Sequence, residues 1–140
     1  MAKAKGWVFD PHSGGMKITP AKQELVKRRI LAYAKGHYAG KFSRLEFKFR
    51  GALCYVDAFT EPEEFEGTHP TASFGETKEE NMERLRNTPT HLVRMRHFDT
   101  ERWSAAFYTY SNERYEPCFL SSGNFTGTME EAFDIGAVYL

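Results

Sequence analysis

The sequence predicts an α+β fold: an antiparallel sheet of about five strands, with an N-terminal helix packed on one face and a short C-terminal helix. Residues 44–59 read as a hairpin, and residues 91–120 hold three further strand-like segments joined by short turns. Helix-start signals flank these segments at Thr19 and Thr128. The aromatic content, 12 Phe, 7 Tyr and 2 Trp, also favours a core built on strands.

The length of 140 residues is that of one domain, and we expect residues 1–140 to fold as a single unit. Residues 1–18 are predicted to form an extended arm, because their second half consists of loop-forming residues. Residues 60–90 are acidic and rich in turn residues, so we expect a partly helical insertion between two parts of the sheet.

The first helix has clear start and stop signals. Thr19 can cap a helix through its side-chain oxygen, and Pro20 suits the first helical position, where a missing N–H costs nothing. Gly36 is predicted to end the helix. Its apolar stripe, surrounded by basic side chains, comprises Val26, Ile30, Tyr33, Ala34 and His37.

The hairpin prediction includes a register. Residues 44–50 alternate between polar and apolar side chains, and Gly51-Ala52 suits a two-residue turn. This turn pairs the apolar residues of both strands on one face, which we expect to lie under the first helix: Leu45, Phe47, Phe49, Cys54, Val56 and Ala58. On the opposite face it places Glu46 across from Asp57, Lys48 across from Tyr55, and Arg44 across from Phe59.

The remaining elements follow from capping boxes and alternation. A capping box at Thr77 predicts a short helix to Arg86, with Met82 and Leu85 as its apolar stripe. Three strands are predicted at His91–Phe98, Trp103–Tyr110 and Tyr115–Leu120, with four-residue loops between them. Pro117 favours an edge position for the last strand. A second capping box at Thr128 begins the C-terminal helix, where Gly136 either weakens the helix or permits close packing.

The sequence contains no pattern typical of a membrane span or a targeting signal, and this predicts the cellular compartment. It contains no run of 18 apolar residues and no apolar stretch after Lys3 and Lys5, so we expect a cytoplasmic protein that has no membrane partner. Cys54 and Cys118 lie 64 positions apart without metal-ligand spacing and are predicted to be reduced thiols. We predict no metal site and no cofactor.

Charge divides the chain into two halves, although the formal net charge is zero. Residues 1–50 hold 12 basic against 3 acidic residues, a net charge of +9, and residues 51–140 hold 7 basic against 16 acidic, a net charge of −9. One interpretation is that the basic half binds a polyanion such as nucleic acid, or an acidic protein. The other is that the halves neutralise each other within the fold or across a homodimer, which the zero net charge favours.

These observations lead to a small binding or accessory protein as the first hypothesis, with its ligand unassigned. A predicted hairpin of the third and fourth strands, with the four-residue loop Asp99–Arg102, puts Arg94 and Arg96 on one side with Trp103, Ala105 and Phe107. Arginines beside aromatic rings suit a planar or anionic ligand. The candidate ligand-binding residues are Arg44, Lys48, Arg50, Tyr55, Arg94, Arg96, Trp103 and Phe107.

Two alternatives remain open. The first is an enzyme or small-ligand pocket on the outer sheet face, built on Glu46, Asp57, Tyr55, Arg94 and Arg96. The second is a structural homodimer held by charge complementarity. No catalytic residue can be assigned, because no serine lies in a nucleophile-elbow motif and no metal-ligand spacing occurs; His91 and His97 are predicted to share a strand face without forming a site.

Overall fold

A computed structural model describes residues 12–62 and 77–140. Within these ranges the chain forms helix α1 (Pro20–His37), strands β1 (Arg44–Arg50) and β2 (Leu53–Phe59), helix α2 (Lys78–Arg86), strands β3 (Thr90–Asp99), β4 (Arg102–Thr109) and β5 (Arg114–Cys118), and helix α3 (Met129–Ala137). The first part of the predicted arm, residues 1–11, and residues 63–76 of the predicted insertion lie outside the described residues. No helix in the described ranges has both the length and the apolar character that a bilayer span requires.

The five strands form one antiparallel sheet in the order β1-β2-β3-β4-β5, so each strand pairs with its neighbour in the sequence. The fold class predicted from the sequence, with a five-stranded antiparallel sheet, an N-terminal helix and a short C-terminal helix, is confirmed. β5 lies at an edge of the sheet, as Pro117 predicts. Proline has no backbone N–H to donate, and an edge strand needs hydrogen bonds on one side only.

The register of the first hairpin is also confirmed. Phe49 pairs with Cys54 and Glu46 with Asp57, and the other predicted pairs follow in the same register. Gly51 begins the turn with φ +59°, a conformation that glycine adopts without steric cost. Turn chemistry and alternation thus specify the same pairing, and the apolar residues of both strands share one face.

That face, called the inner face below, carries the core of the protein. Its buried strand residues are Cys54, Val56, Val93, Met95, Trp103 and Ala105. α1 covers it with Val26, Ile30 and Ala34, and α3 adds Met129, Ala132 and Phe133. Leu45, Phe47 and Phe49 pack against this cluster from β1 but remain partly exposed, because β1 is an edge strand. The expectation that the hairpin packs under α1 holds, with its outer strand only half buried.

The helices begin where their capping residues predict. The side-chain oxygen of Thr19 accepts a hydrogen bond from the backbone N–H of Lys22, and full capping boxes form at Thr77 and Thr128. One predicted end is wrong: α1 continues through Gly36 to His37. The left-handed position that favours glycine lies further on, at Gly40, where φ is +78°.

The apolar stripe predicted for α2, Met82 and Leu85, is not the buried side of this helix. The buried residue of α2 is Asn81, while Leu85 is exposed and Met82 is half buried. Helical spacing places Met82 and Leu85 on one side of α2, but tertiary contacts decide which side of a helix is buried, and here that side carries Asn81.

Contacts between the basic and the acidic half hold α1 to the rest of the fold. The guanidinium group of Arg29 donates to Glu130 of α3 at 2.7 Å and to Glu101 of the β3–β4 turn at 3.0 Å. The phenol groups of Tyr33 and Tyr38 both donate to the carboxylate of Asp134, each at 2.7 Å. Part of the charge asymmetry in the sequence is therefore neutralised within one chain.

Residues 14–18 of the predicted arm lie against the turn end of the sheet. The backbone N–H of Met16 donates to the carbonyl of His97 at 2.8 Å, and that of Ile18 donates to Gly51 at 2.9 Å. The Cβ of any larger residue at position 15 would lie 2.6 Å from the carbonyl oxygen of His97, so Gly15 allows this approach. The described end of the arm is thus fixed to the strands by backbone hydrogen bonds.

Candidate functional site on the outer sheet face

The β3–β4 hairpin corrects the predicted placement of the arginines. Arg94 lies opposite Ala106 and Arg96 opposite Ser104, whereas Trp103 lies opposite His97 on the inner face. Trp103 is completely buried, and its indole N–H donates to the carbonyl of Thr100 at 2.9 Å. The expectation that Arg94 and Arg96 share a face with Trp103, Ala105 and Phe107 is wrong.

The physical reason is a difference of one residue in the turn. The prediction assumed a four-residue loop over Asp99–Arg102, but Asp99 pairs with Arg102 and the register shifts between His97 and Asp99. Because side chains alternate with a period of two, this shift moves the whole of β4 to the opposite face relative to β3. Phe107, which pairs with Val93, therefore also belongs to the inner face.

The face opposite the core is called the outer face below, and it gathers the other six predicted ligand-binding residues. The register places Arg44, Lys48 and Arg50 there from β1, Tyr55 from β2, and Arg94 and Arg96 from β3. The three β1 cations are exposed, and Tyr55 and the two arginines of β3 are half buried. Six of the eight residues predicted for the site thus share one surface.

A bulge in β3 adds a residue to this surface that alternation did not predict. Val56 pairs with Val93, but the next residue, Asp57, pairs with His91, so Leu92 is the extra residue in β3. Without the bulge, His91 would lie on the inner face with Val93. The expectation that His91 and His97 share a face is wrong: His97 is buried on the inner face, and His91 lies on the outer face.

His91 meets a buried carboxylate on the outer face. Its Nδ1 atom lies 2.9 Å from Oδ1 of Asp57, and because a carboxylate accepts hydrogen bonds, Nδ1 is the donor. The Asp57 side chain is only 7% exposed, while that of His91 is 36% exposed. The pair thus consists of a buried carboxylate and a partly exposed imidazole, both on the outer face, and the second nitrogen of the imidazole, Nε2, takes no part in this bond.

Three tyrosine rings contact the imidazole and a fourth contacts one of them, forming what we call the tyrosine cluster: Tyr108, Tyr110 and Tyr115 beside His91, and Tyr55 beside Tyr115. The ring of Tyr108 lies 4.7 Å from that of His91, and the ring of Tyr115 lies 5.0 Å from that of Tyr108, measured between centroids. The backbone N–H of His91 donates to the hydroxyl of Tyr110 at 2.9 Å. Edge-to-face contacts of this kind hold aromatic rings in fixed orientations.

The cluster joins strands that are not neighbours. The rings of Tyr55 on β2 and Tyr115 on β5 lie 5.3 Å apart, although β3 and β4 separate their backbones. Ala106, a small residue on the outer face of β4, leaves room for this approach. Burial raises the pKa of the Tyr115 phenol, and the nearby Asp57 carboxylate raises it further, so the phenol stays protonated at neutral pH.

Arginine side chains extend the cluster along the face. The guanidinium carbon of Arg94 lies 5.8 Å from the centroid of the Tyr115 ring, and that of Arg44 lies 3.8 Å from the Phe59 ring. Glu46 lies directly opposite Asp57, as predicted, but it forms no ion pair with a described residue, and Asp57 bonds instead to His91 on its other side. The two carboxylates of the predicted acidic pair therefore have different surroundings: Glu46 is exposed to solvent, and Asp57 is hydrogen-bonded to His91.

Two cavities open at the end of the sheet where β3 begins and β4 ends. One of about 470 Å³ lies beside His91, with walls that include Tyr108, Tyr110, Gly136 and Tyr139. A second, of about 630 Å³, shares Thr90 and Tyr110 with the first and reaches Leu85 of α2. Volumes in this range suit small organic ligands, including a nucleotide.

The other nucleophilic and metal-ligating groups do not add to this site. Burial raises the pKa of the Cys54 thiol on the inner face and that of Cys118 at the sheet edge, so neither is an activated thiolate. In the part of the chain that the structure describes, no group of three His, Cys, Asp or Glu side chains is arranged to hold a metal ion. The chemistry of the outer face therefore rests on imidazole, phenol, carboxylate and guanidinium groups.

The sequence prediction missed His91 and three members of the tyrosine cluster: Tyr108, Tyr110 and Tyr115. Signals for the tyrosines were present, since alternation in β4 and β5 places Tyr108 and Tyr115 on one face once Trp103 is assigned to the other. No local signal marks the bulge at Leu92, which is what brings His91 to Asp57. Compared with known proteins, the chain matches no protein-family model, no curated protein and no solved structure.

Proposed function

We propose that this chain is a binding protein for single-stranded nucleic acid and that the ligand lies across the outer face of the sheet. The observation that carries the proposal is the sharing of one face by exposed cations from β1, arginines from β3 and a cluster of tyrosine rings. Single strands are bound by this combination, because phosphates need cations and unpaired bases need rings on which to stack.

The distribution of charge supports an anionic ligand. Lys48 and Arg50 are exposed on the outer face and have no ion pair within residues 12–62 and 77–140. Arg29, in contrast, is held by Glu101 and Glu130 on the other side of the molecule, so the cations of α1 are partly neutralised. The zero net charge of the whole chain is therefore no obstacle, since the outer face is locally basic.

The rings support a ligand with planar groups rather than a simple polyanion. Tyr110 is 58% exposed and lies between the two cavities, so its ring offers a stacking surface. Trp103 and Phe107, two of the candidate ligand-binding residues from the sequence, belong to the inner face and take no part. Stacking on tyrosine does not depend on base identity, so we expect little sequence preference.

Fluorescence anisotropy tests the proposal, with a labelled single-stranded DNA of about 20 nucleotides, long enough to span such a face. We expect binding that weakens with salt, and a smaller salt slope for the double variant Lys48→Gln/Arg50→Gln, by about 0.7 per lost contact. The matched control is Arg28→Gln/Lys35→Gln, which removes the same charge from α1. The control should keep the wild-type slope.

A second pair of variants separates stacking from charge. Tyr110→Ala should weaken binding by about 1–3 kcal/mol without changing the salt slope, while Tyr110→Phe keeps the ring and should bind normally. Poly-glutamate, an anion without bases, should compete poorly with the labelled DNA. It should compete equally in Tyr110→Ala and Tyr110→Phe. Absence of single-strand binding at low salt and micromolar protein, or equal loss in the α1 control, would refute the proposal.

A further inference from the structure

We propose that His91 is a general base and that the protein cleaves single-stranded RNA bound on the outer face. This inference rests on the proposed function, since it needs the RNA backbone to pass His91. It goes beyond binding because the Asp57–His91 pair has a geometry that binding alone does not require.

The imidazole of His91 is held in a fixed orientation by Asp57. Asp57 accepts a hydrogen bond from the Nδ1–H of His91, with 2.9 Å between the two heavy atoms, and is almost completely buried. The neutral ring is therefore held in the tautomer whose Nε2 can accept a proton. A buried carboxylate behind a partly exposed histidine is the arrangement by which a histidine base is oriented and its charged form stabilised. His91 would be the catalytic residue, and Asp57 a positioning residue.

Phenol groups and an arginine lie around the Asp57–His91 pair. The titratable described groups in contact with His91 are Asp57 of β2, Tyr108 and Tyr110 of β4 and the following turn, and Tyr115 of β5. The guanidinium group of Arg94 lies near the Tyr115 ring. Arg94 lies two paired positions from His91 along β3, about 7 Å at the usual rise of a strand. That spacing allows Arg94 to bind a phosphate while His91 reaches the neighbouring ribose.

The reaction that these groups support is an internal transfer at phosphorus. His91 Nε2 takes the proton of the ribose 2′-hydroxyl, and the 2′ oxygen attacks the adjacent phosphorus. A bond forms between the 2′ oxygen and phosphorus, and the bond from phosphorus to the 5′ oxygen of the next nucleotide breaks. The 5′ oxygen takes a proton from water, and the imidazolium returns its proton to solvent.

The products are a 2′,3′-cyclic phosphate and a 5′-hydroxyl end, and no oxidant, reductant or co-substrate is consumed. Arg94 would stabilise the charge that develops on the phosphoryl oxygens. The exposed ring of Tyr110, whose centroid lies 6.3 Å from that of His91, would stack on the base of the attacked nucleotide. DNA lacks the 2′-hydroxyl and should be bound without being cut.

The test follows the fate of a labelled RNA of mixed sequence, with DNA of the same sequence and a 2′-O-methyl RNA as uncleavable companions. Binding is measured by anisotropy and cleavage by gel, and the product ends are identified by mass spectrometry. We expect all three strands to bind, only the RNA to be cut, and the products to carry a 2′,3′-cyclic phosphate.

Variants identify the residues. His91→Ala should lower the cleavage rate by about 10²-fold or more while retaining RNA binding, and added imidazole should restore part of the rate. Asp57→Asn should lower kcat at least tenfold with little change in KM, a split that a general loss of structure would not produce. Arg28→Gln, remote from the site, is the preparation control and should cut RNA at the wild-type rate. Circular dichroism checks the folding of each variant, and His91→Asn replaces His91→Ala if the latter misfolds.

The possible results are distinct. RNA that binds but stays intact overturns this inference and leaves the proposed function standing. Cleavage that persists unchanged in His91→Ala or His91→Asn also overturns it, because the activity then does not depend on the imidazole. If none of the three strands binds, both proposals fail.

Discussion

His91 and Asp57 lie opposite each other on the outer face only because β3 contains one residue more than β2 at that point. The bulge at Leu92 turns His91 away from the core face and sets its Nδ1 atom 2.9 Å from the Asp57 carboxylate. Bulges recur next to functional sites, where they redirect a single side chain without disturbing the rest of a sheet. The same bulge is packed from the inner side by α3, which connects the site to the core.

Gly136 of α3 is the residue that permits this packing, and its replacement should damage both stability and the site. A Cβ at position 136 would lie 2.0 Å from the carbonyl oxygen of Leu92, so α3 or the bulge must shift. We expect Gly136→Ala to lower the free energy of unfolding by about 1–3 kcal/mol. Urea denaturation measures the loss, and the NMR signals of His91 report the displaced bulge.

Gly36→Ala is the matched control, because it makes the same change in a helix with nothing within 4 Å of the new Cβ. Alanine is the better helix former, so this variant should be unchanged or more stable by up to about 1 kcal/mol. Equal stability of the two variants would contradict the close approach of α3 to β3.

Arg29 should contribute to stability in a pH-dependent manner. Its hydrogen bonds hold the pKa of Glu101 below the usual range, so their contribution is present at neutral pH and is lost as pH falls through the lowered pKa. We expect Arg29→Gln to cost about 1–2 kcal/mol at pH 7, limited by the solvent exposure of Glu101. The difference from wild type should shrink below about pH 4.

Arg28→Gln is the control for this measurement, since the neighbouring side chain is exposed and has no ion pair among the described residues. Its unfolding free energy should stay within about 0.5 kcal/mol of wild type at every pH. A pH-independent loss in Arg29→Gln would mean that the side chain acts through packing rather than through its carboxylate partners.

The two thiols should differ in their rates of alkylation. Cys54 is fully buried and burial raises its pKa, so iodoacetamide at pH 8 should not modify it while the protein is folded. Cys118 is half buried at the edge strand and should react slowly. Mass spectrometry after timed quenching measures both, and unfolding in urea should make the rates equal. Fast modification of Cys54 in the folded protein would show that the β1–β2 face is not packed under α1.

Phe47→Ala tests how much the edge strand contributes to the core. Phe47 packs against the core cluster but is only half buried, so we expect a loss of about 2–3 kcal/mol, less than for a fully buried phenylalanine. Lys48→Ala, the exposed neighbour on the opposite face, should cost under about 0.5 kcal/mol. Thermal or urea unfolding measures both, and similar losses in the two variants would contradict the inward orientation of Phe47.

Local chemistry determined the elements of this fold and the register of its first hairpin. Thr19, Thr77 and Thr128 cap helices through hydrogen bonds to residues three positions away, so the signal for each start lies within one turn. The pairing of β1 with β2 depends on a two-residue turn at Gly51 and on alternation next to it. Interactions of such short range can be predicted from the sequence without knowing the rest of the fold.

The faces of β3 and β4 were decided by the tertiary structure. A change of one residue in a turn or a bulge inverts every side chain beyond it, and the sequence around Leu92 and Phe98 contains no turn signal that marks such a change. The choice depends instead on what each side chain packs against: Trp103 fills the core, and Leu92 lies against Gly136 of α3. The sequence alone thus determined that arginines and aromatic residues alternate along these strands. Only long-range packing determined that His91, rather than Trp103, shares the outer face with Arg94.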